Sequence, residues 1–362
     1  MLNVGKLPES FFEPNQRLEI KKKVDVGQVK KILVFGIDQL GGLMTGTPFY
    51  RELRKAFPDA RIVNLVGSLT YGAMQNCPYV DDVWLFDKSK TFETIKKIRA
   101  ESFDVTFQLS GTLRTGLMVY LAGIPHRVGY DVDGTGPLLT VKLHQEFHSR
   151  YRVENIYDLL RALGFDPQGI YDREVWLSEA DVEYARSWAS SNNPKGNKTF
   201  LAFNPFSTDE KRRWTEQGWR DLLRGLPERN ITPVMFVAPN ETEAGKAFVE
   251  SLGFPDIHVE THSPVKTAAI LQTVKYAVGP ESGFVHMALA ANKPHVIAFY
   301  NVLPPRATFP IYDSRHLAIL KQDLACAPCY LYKAKDVCPN GLRCMKDITA
   351  LEVLNFIDQH LG

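Results

Sequence analysis

The chain has 362 residues, of which 44% are apolar and 23% are charged. This is the composition of a globular protein, and the length suits two domains of roughly 150–200 residues each. A formal net charge of +2 argues against a dedicated nucleic-acid-binding protein, which normally carries a strong basic excess. No apolar run approaches the length of about 18 residues that indicates a membrane-spanning helix, and the start lacks the basic-then-apolar order of a signal peptide. We therefore expect a cytoplasmic protein that does not bind nucleic acid.

The first part of the chain predicts one α/β domain. Residues 1–28 are polar and irregular, and we interpret them as an N-terminal extension. Over residues 29–168 the apolar periodicity predicts strands at KILVFGI, ARIVNLVG, DDVWLFD and FDVTFQLS, and helices at TPFYRELRKAF, TFETIKKIRAE, LRTGLMVYLAG and RVENIYDLLRALGF. Pro48 is expected near the first turn of the first of these helices. Strands that alternate with helices predict a parallel sheet covered on both faces.

The second part, residues 169–362, predicts another such domain after the linker DPQGIYD. Strands are predicted at KTFLAFNPF, TPVMFVAP, YAVGPES and HVIAFY, and helices at TEQGWRDLLRGL, ETEAGKAFVESLG, VKTAAILQTV and GFVHMALAAN. Two successive units of this kind predict a two-lobed molecule with a cleft. Ligands are expected outside the carboxyl ends of the strands, at the turns 36–42, 204–208 and 279–283.

The stretch GPESGFVHMALA predicts a strand, a polar turn and the start of a helix. Ser282 and Gly283 would lie in the opening turn of that helix, where unpaired N–H groups favour a diphosphate. The carboxylate of Glu281 would accept hydrogen bonds from sugar or ribose hydroxyls. A helix start of the capping-box kind is the alternative without a ligand. His286 would face the turn, where it could equally be a packing residue.

The segment STDEKRRW follows the first strand of the second domain. It supplies two hydroxyls and three cations, namely Ser207, Thr208, Lys211, Arg212 and Arg213. A fixed cation beside a leaving diphosphate stabilises the transition state more than the ground state. A solvated basic loop is the alternative.

Several of these motifs together resemble the bacterial heptosyltransferases, glycosyltransferase family 9. The likeness runs over roughly residues 30–358 and is carried by four stretches: LGGLMTGTPFYRELRKAFPDARIVNLVG, FNPFSTDEKRRWTEQGWRDLL, VGPESGFVHMALAANKPHVIAFY and the cysteine-bearing tail from Cys326. The resemblance implies two Rossmann-like lobes, the GT-B architecture. It also implies inverting transfer of a heptose from ADP-heptose to a lipopolysaccharide core saccharide or, in one branch, to a protein.

The resemblance also implies roles for particular residues. Arg212 stands where the family has a lysine, and Lys211 could take over if the loop is one residue longer. Glu281 stands where the family has an aspartate that holds the donor sugar. Glu241 resembles a ribose-binding glutamate, although it could equally be a charge at a helix N-terminus. Gly41 and Gly42 belong to the substrate-binding turn of the first domain.

The family's general base, an aspartate, aligns with Gly42, so the expected base is absent. Three hypotheses follow. Asp38 on the same turn could reach the same space, although an Asp in a turn often bonds its own backbone. Asp131 or Asp133 of GYDVDG could supply the base instead. The third hypothesis is a catalytically impaired member that binds nucleotide-sugar or serves in assembly.

Four cysteines, Cys326, Cys329, Cys338 and Cys344, form the pattern C-x2-C-x8-C-x5-C within residues 324–346. This spacing is typical of a closed tetrahedral thiolate site for structural zinc or iron, and iron is what the protein-modifying branch of the resembled family implies. Four reduced thiols without metal are the alternative. No catalytic metal is expected, and Cys77 is interpreted as a buried hydrophobe. Peripheral contact with an inner membrane and self-assembly through the finger or the extension are both left open.

Overall fold

A computed structural model describes residues 18–37, 39–144, 150–167, 169, 171–321, 323–329, 338 and 340–361. Asp38 and most of the sequence between the second and fourth cysteines of the finger therefore lie outside the described residues. The described chain forms two compact units, one that ends at Trp176 and one that begins at Leu177. No described helix has the length and apolar character to cross a membrane.

The boundary between the units lies later than the expected one after residue 168. The stretch that leads to Trp176 belongs to the first unit because Glu174 is held there twice. Its N–H donates to Thr47 Oγ1 over 2.9 Å, and its carboxylate forms an ion pair with Arg51. Glu174, just beyond the predicted linker, is thus packed onto the first domain.

The first unit contains a seven-stranded sheet with the order β1-β7-β6-β5-β2-β3-β4. All neighbouring strands are parallel except β1 and β7. The strands are β1 (Leu18–Ile20), β2 (Lys31–Phe35), β3 (Arg61–Val66), β4 (Asp82–Leu85), β5 (Val105–Gln108), β6 (His126–Tyr130) and β7 (Val141–Leu143). The helices are α1 (Leu40–Ala56), α2 (Ser68–Met74), α3 (Thr91–Glu101), α4 (Leu113–Leu121) and α5 (Arg152–Arg161).

Two expectations about this unit are wrong. The extension is not irregular throughout, since β1 pairs with β7 and closes one edge of the sheet. Helix α1 begins at Leu40, so Gly41 and Gly42 lie in its first turn and Pro48 lies inside the helix. A proline there cannot donate to the Met44 carbonyl oxygen. Thr47 Oγ1 donates to that oxygen instead, over 3.0 Å, which explains how the helix continues.

The second unit contains a six-stranded parallel sheet with the order β10-β9-β8-β11-β12-β13. Its strands are β8 (Thr199–Phe203), β9 (Ile231–Val237), β10 (Val259–Thr261), β11 (Tyr276–Pro280), β12 (His295–Phe299) and β13 (Leu317–Ile319). Its helices are α6 (Glu179–Asn192), α7 (Glu216–Gly225), α8 (Thr242–Ser251), α9 (Pro264–Leu271), α10 (Gly283–Ala291), α11 (Pro305–Thr308), α12 (Arg343–Lys346) and α13 (Ala350–Gln359). The predicted α/β class and the two parallel sheets are confirmed.

Aromatic side chains fill the core between this sheet and the helices on one of its faces. Trp214 and Trp219 pack on Phe299, with ring centroids 4.6 and 5.9 Å from it. Helix α13 lies close against α7, since a Cβ built on Gly225 would lie 2.7 Å from Leu354 Cδ1. The core therefore holds β8, β11 and β12 as a fixed platform, and their carboxyl ends meet at one edge of the sheet.

Candidate active site

Three adjacent strands bring the predicted donor-site residues together. The order β8-β11-β12 places the loop after β8, the turn after β11 and the residues after β12 at neighbouring positions of the same edge. Glu281 directly follows β11, and its N–H donates to Phe299 O of β12 over 3.0 Å. Because this edge is where parallel α/β sheets bind ligands, the predicted location of the site is consistent with the fold.

A buried glutamate lies at the centre of this edge. His286 Nε2 lies 3.1 Å from Glu281 Oε1, and Arg212 Nη1 donates to Glu281 Oε2 and, over 3.3 Å, to the Glu281 carbonyl oxygen. Glu281 was expected to accept hydrogen bonds from sugar or ribose hydroxyls, and both of its carboxylate oxygens already have protein partners. A carboxylate has about four lone-pair positions, so further donors can still reach it.

The charge state of Glu281 follows from these partners. Burial by itself raises the pKa of this carboxyl, but the hydrogen bonds and charges of His286 and Arg212 together hold its pKa below the ordinary value of 4.5. Glu281 is 7% exposed and is thus a buried carboxylate that stays ionised at neutral pH. The sequence left open whether His286 is only a packing residue. In the structure His286 and Arg212 together stabilise the ionised form of Glu281.

The turn after Glu281 presents a helix start without a side-chain cap. Ser282 is the N-cap of α10 and its side chain makes no cap hydrogen bond, so the capping-box alternative is wrong. The Ser282 Oγ atom is buried and has no hydrogen-bond partner among the described residues. The first N–H groups of α10, beginning at Gly283, therefore remain available to an anion, next to an unpaired hydroxyl.

The loop after β8 carries the cations in a short 3₁₀ helix, Glu210–Arg212, capped by Asp209. Arg213 turns back on the loop, where its guanidinium donates to the Ser207 carbonyl oxygen over 3.1 and 3.2 Å. Thr208 is exposed, and Lys211 is partly buried. Of the three cations, Arg212 is the one for which the structure describes a contact with Glu281.

Glu241 follows β9, which borders β8 on its other side. Its Oε2 accepts a hydrogen bond of 3.1 Å from the N–H of Ala238, three residues earlier. The side chain thus caps its own turn at the start of α8, as one of the two sequence-based interpretations holds. The other carboxylate oxygen, Oε1, could still accept a hydrogen bond from a ribose hydroxyl at this edge of the sheet.

In the first unit, Gly42 occupies a crowded position. A Cβ built there would lie 2.6 Å from Ile37 Cγ2 and 3.8 Å from Arg152 Nη2. Position 42 is therefore closed to a side chain unless Ile37 moves. Arg152, the first residue of α5, was missed from the sequence because its helical periodicity reads as ordinary surface.

A pocket of about 380 Å³ lies beside Arg152, at the carboxyl ends of β5 and β6. It is lined by residues from three segments: Leu109, Ser110, Gly111, Thr112, Tyr130, Val132, Asp133 and Arg152. Asp133 is exposed within this lining. Asp131 does not line the pocket, and its carboxylate lies 3.6 Å from Lys142 Nζ. Of these two alternative bases, Asp133 is the one that lines the pocket.

The cysteine-rich tail contains sulfurs that accept hydrogen bonds. Asn340 Nδ2 donates to Cys326 Sγ over 3.1 Å, the Leu342 N–H donates to Cys338 Sγ over 3.2 Å, and Asn301 Nδ2 lies 3.7 Å from Cys344 Sγ. Burial raises the pKa of Cys329, and the charges of the other three thiols raise it further, while Lys211 lowers it. Within the described part of the chain, no three His, Cys, Asp or Glu side chains form a metal-holding group. Cys77, as expected, is buried, which raises its pKa to about 12.

Comparison with known proteins shows which family the chain resembles. The sequence profile of glycosyltransferase family 9 (heptosyltransferase) matches residues 91–337. Lipopolysaccharide heptosyltransferase 2 of Escherichia coli K12 is 22% identical over 309 residues, which cover 78% of this chain and 85% of that protein.

Two solved structures resemble the fold. A glycosyltransferase family 9 protein from Veillonella parvula aligns with a TM-score of 0.78 at 18% identity, over 94% of this chain and 99% of that one. The dodecameric iron-containing heptosyltransferase TibC, solved with ADP-D-β-D-heptose, aligns with a TM-score of 0.59 at 14% identity, over 95% of this chain and 79% of that one. The profile match spans most of the chain, and the chain therefore belongs to glycosyltransferase family 9, the heptosyltransferases.

Proposed function

We propose that the protein is an inverting glycosyltransferase that uses ADP-heptose, or a closely related nucleotide-sugar, as donor. The observation that carries this proposal is the buried, ionised Glu281 held between His286 and Arg212, next to the uncapped start of α10. This arrangement combines an acceptor for hydroxyl groups with donors for a diphosphate, which are the two halves of a nucleotide-sugar.

In the proposed reaction an acceptor hydroxyl attacks the anomeric carbon from the face opposite the nucleotide. The bond between that carbon and the diphosphate oxygen breaks, the hydroxyl proton goes to a general base, and ADP leaves. The first N–H groups of α10 and the remaining N–H groups of Arg212 would bind the charge that develops on the diphosphate. Glu281 orients Arg212 and meets the sugar, and Ser282 Oγ is free to bond a phosphate oxygen.

For the base we retain Asp38 as the first candidate, and Asp133 is the second. Asp133 is supported by its position in the pocket next to Arg152, which would hold the saccharide or protein acceptor. Asp131 has lost support, because Lys142 and the turn at Gly136 surround its carboxylate. Gly41 and Gly42 would border the acceptor through their backbone.

The four cysteines are proposed to hold structural zinc or iron. The spacing and the N–H groups directed at Cys326 and Cys338 support this, because metal-bound thiolates commonly accept such hydrogen bonds. The ion would fix the tail and would take no part in the transfer. Elemental analysis of the purified protein tests the proposal: about one zinc or iron per chain is expected, and a metal-free, fully folded protein would contradict it.

The proposed place of action is the cytoplasmic face of a membrane that carries a lipid-linked acceptor. One face of α4 supports this, since Leu113, Leu117, Tyr120 and Leu121 are all exposed and α4 contains no carboxylate. Arg99 donates to the Leu121 carbonyl oxygen, and Arg127 lies over the Tyr120 ring. Thr112, which caps α4, lines the pocket, so the acceptor site would lie next to this apolar and basic face.

A family member that binds the donor without transferring it is the alternative. Calorimetric titration of ADP-heptose into the full chain, with ADP and UDP as comparisons, tests the part common to both functions. We expect ADP-heptose and ADP to bind and UDP to bind more weakly. Absence of binding by any of the three would contradict both functions. Turnover with acceptor then separates them.

A further inference from the structure

Asn301 connects the candidate donor loop with the cysteine cluster. It lies two residues beyond β12, is 1% exposed, and was not singled out by the sequence. Its Nδ2 donates to the Lys211 carbonyl oxygen over 2.6 Å and lies 3.7 Å from Cys344 Sγ. The main-chain carbonyl oxygen of Asn301 accepts a hydrogen bond of 2.9 Å from the main-chain N–H of Cys329. One residue thus contacts the loop and two of the four cysteines.

These contacts fix the peptide plane that precedes the Arg212 side chain. The carbonyl group of Lys211 and the N–H of Arg212 belong to the same planar peptide unit. Asn301 holds the carbonyl end, and the Asp209 carbonyl oxygen accepts from the Arg212 N–H over 3.0 Å at the other end. With both ends held, the backbone at Arg212 is restrained in the position from which its side chain contacts Glu281.

The orientation of the Asn301 amide is itself determined by its surroundings. If the amide were turned over, its oxygen would face the Lys211 carbonyl oxygen at hydrogen-bond distance, which is repulsive. The nitrogen therefore faces the loop, and a residue of the same shape without an N–H donor cannot replace it. This distinguishes hydrogen bonding from packing at the site.

We propose that Asn301 is a positioning residue through which the cysteine cluster holds Arg212 in the geometry that binds the leaving diphosphate. This inference rests on the proposed function, in which Arg212 binds that diphosphate. The cysteine cluster thereby has a role in the donor site beyond stabilising the tail.

The test compares ADP binding by the full chain and by Asn301→Ala and Asn301→Asp, with unfolding temperature and metal content measured for each. Loss of one neutral hydrogen bond predicts roughly three- to tenfold weaker ADP binding for Asn301→Ala. Asn301→Asp should bind ADP more weakly still, because its carboxylate would face a carbonyl oxygen. Asn64→Ala, which alters a buried asparagine of the first unit, should leave ADP binding unchanged.

A second comparison links the effect to the cysteines. Cys344→Ser should weaken ADP binding in the wild-type chain and weaken it much less in the Asn301→Ala background, because both changes release the same loop. Fully additive effects would overturn the proposal. Wild-type affinity in Asn301→Asp would also overturn it, since packing alone would then suffice. If Cys344→Ser does not fold, the two Asn301 variants decide. If the wild-type chain itself does not bind ADP, the proposed function has failed instead.

Discussion

His286 Nε2 lies 3.1 Å from Glu281 Oε1 across the first turn of α10, and both side chains are buried. The pair has a simple physical meaning. Without partners, a carboxylate buried at this depth would take up a proton. The hydrogen bonds and charges of His286 and Arg212 keep Glu281 ionised. The candidate donor site is therefore built around a charge that the protein itself stabilises.

The first prediction concerns stability as a function of pH. Because the pKa of folded Glu281 lies below its ordinary value of 4.5, its ionised form stabilises the fold above pH 4.5. That contribution is lost as the pH falls through the lowered pKa. Glu281→Gln should reduce the free energy of unfolding by about 1–3 kcal/mol at neutral pH, and the difference should shrink in acid.

Denaturant unfolding over a pH series measures this difference. Glu250→Gln, which changes an exposed glutamate on α8, serves as the control and should follow the wild-type curve. A Glu281→Gln difference that stays constant well below pH 4.5 would mean that ionisation of Glu281 does not stabilise the fold.

The second prediction concerns Arg212. Its removal leaves Glu281 buried without its ion pair and leaves the diphosphate without a cation. Arg212→Ala should lower kcat by roughly 10²–10³, with Arg212→Lys between it and the wild type. Steady-state kinetics of ADP release measure the effect. As a control, Arg224→Ala, at an exposed position of α7, should retain wild-type kinetics. Wild-type kinetics in Arg212→Ala as well would show that Arg212 does not act in the donor site.

The third prediction separates the candidate bases. Asp38→Asn should reduce turnover by about 10²–10⁴ with unchanged ADP affinity, as expected for loss of a general base. Asp133→Asn should mainly raise KM for the acceptor, and Asp131→Asn should change neither. Loss of turnover in Asp133→Asn but not in Asp38→Asn would identify Asp133 as the base. Wild-type turnover in Asp38→Asn and in Asp133→Asn would exclude both of these residues as the base.

The fourth prediction tests the crowding at Gly42. Gly42→Ala should lower the free energy of unfolding by about 1–2 kcal/mol, because its Cβ would lie 2.6 Å from Ile37 Cγ2. Gly72→Ala, in α2, has no atom within 4 Å of the added Cβ and should instead stabilise the protein by about 0.5–1 kcal/mol. Thermal unfolding of the two variants measures both. Equal stabilisation by the two alanines would show that position 42 tolerates a side chain.

The fifth prediction concerns α4. The full chain should sediment with vesicles that contain anionic phosphatidylglycerol and less with neutral phosphatidylcholine vesicles, and salt should weaken the binding. Leu117→Glu should abolish binding, whereas Leu85→Glu, at an exposed leucine of β4, should not. If Leu117→Glu instead dissociates an oligomer and leaves vesicle binding intact, this face of α4 is a contact between copies of the chain.

Sequence periodicity predicted many of the helices and strands that carry long apolar patterns, although the helices α6 and α13 were not predicted. Helix α3 has the predicted ends, and the strand at β2 and the helix at α10 are also confirmed. The missed strands β1, β7, β10 and β13 have three residues each, too few for a period to appear, and they form through pairing with distant segments. The five-residue strand β6 was also missed. The start of α1 was misjudged because two glycines and a later proline oppose a helix locally, whereas Thr47 and burial restore it.

The candidate site was predictable in its location more than in its contacts. The turn at Glu281 and the cations after β8 stand out because each follows an apolar strand. That Arg212, rather than Lys211 or Arg213, reaches Glu281 depends on the 3₁₀ turn and could not be read from three adjacent basic residues. Asn301 and Arg152 carry no sequence signal of a site, since their contacts there are with residues distant in sequence.

The most direct test of the central claim is turnover of ADP-heptose by the purified chain, followed by mass spectrometry with and without a lipopolysaccharide core saccharide that lacks heptose. We expect acceptor-dependent release of ADP and a product heavier by one heptose, with the anomeric configuration inverted when the product is analysed by NMR. Tight donor binding without ADP release across saccharide and protein acceptors would contradict transfer and favour the binding protein.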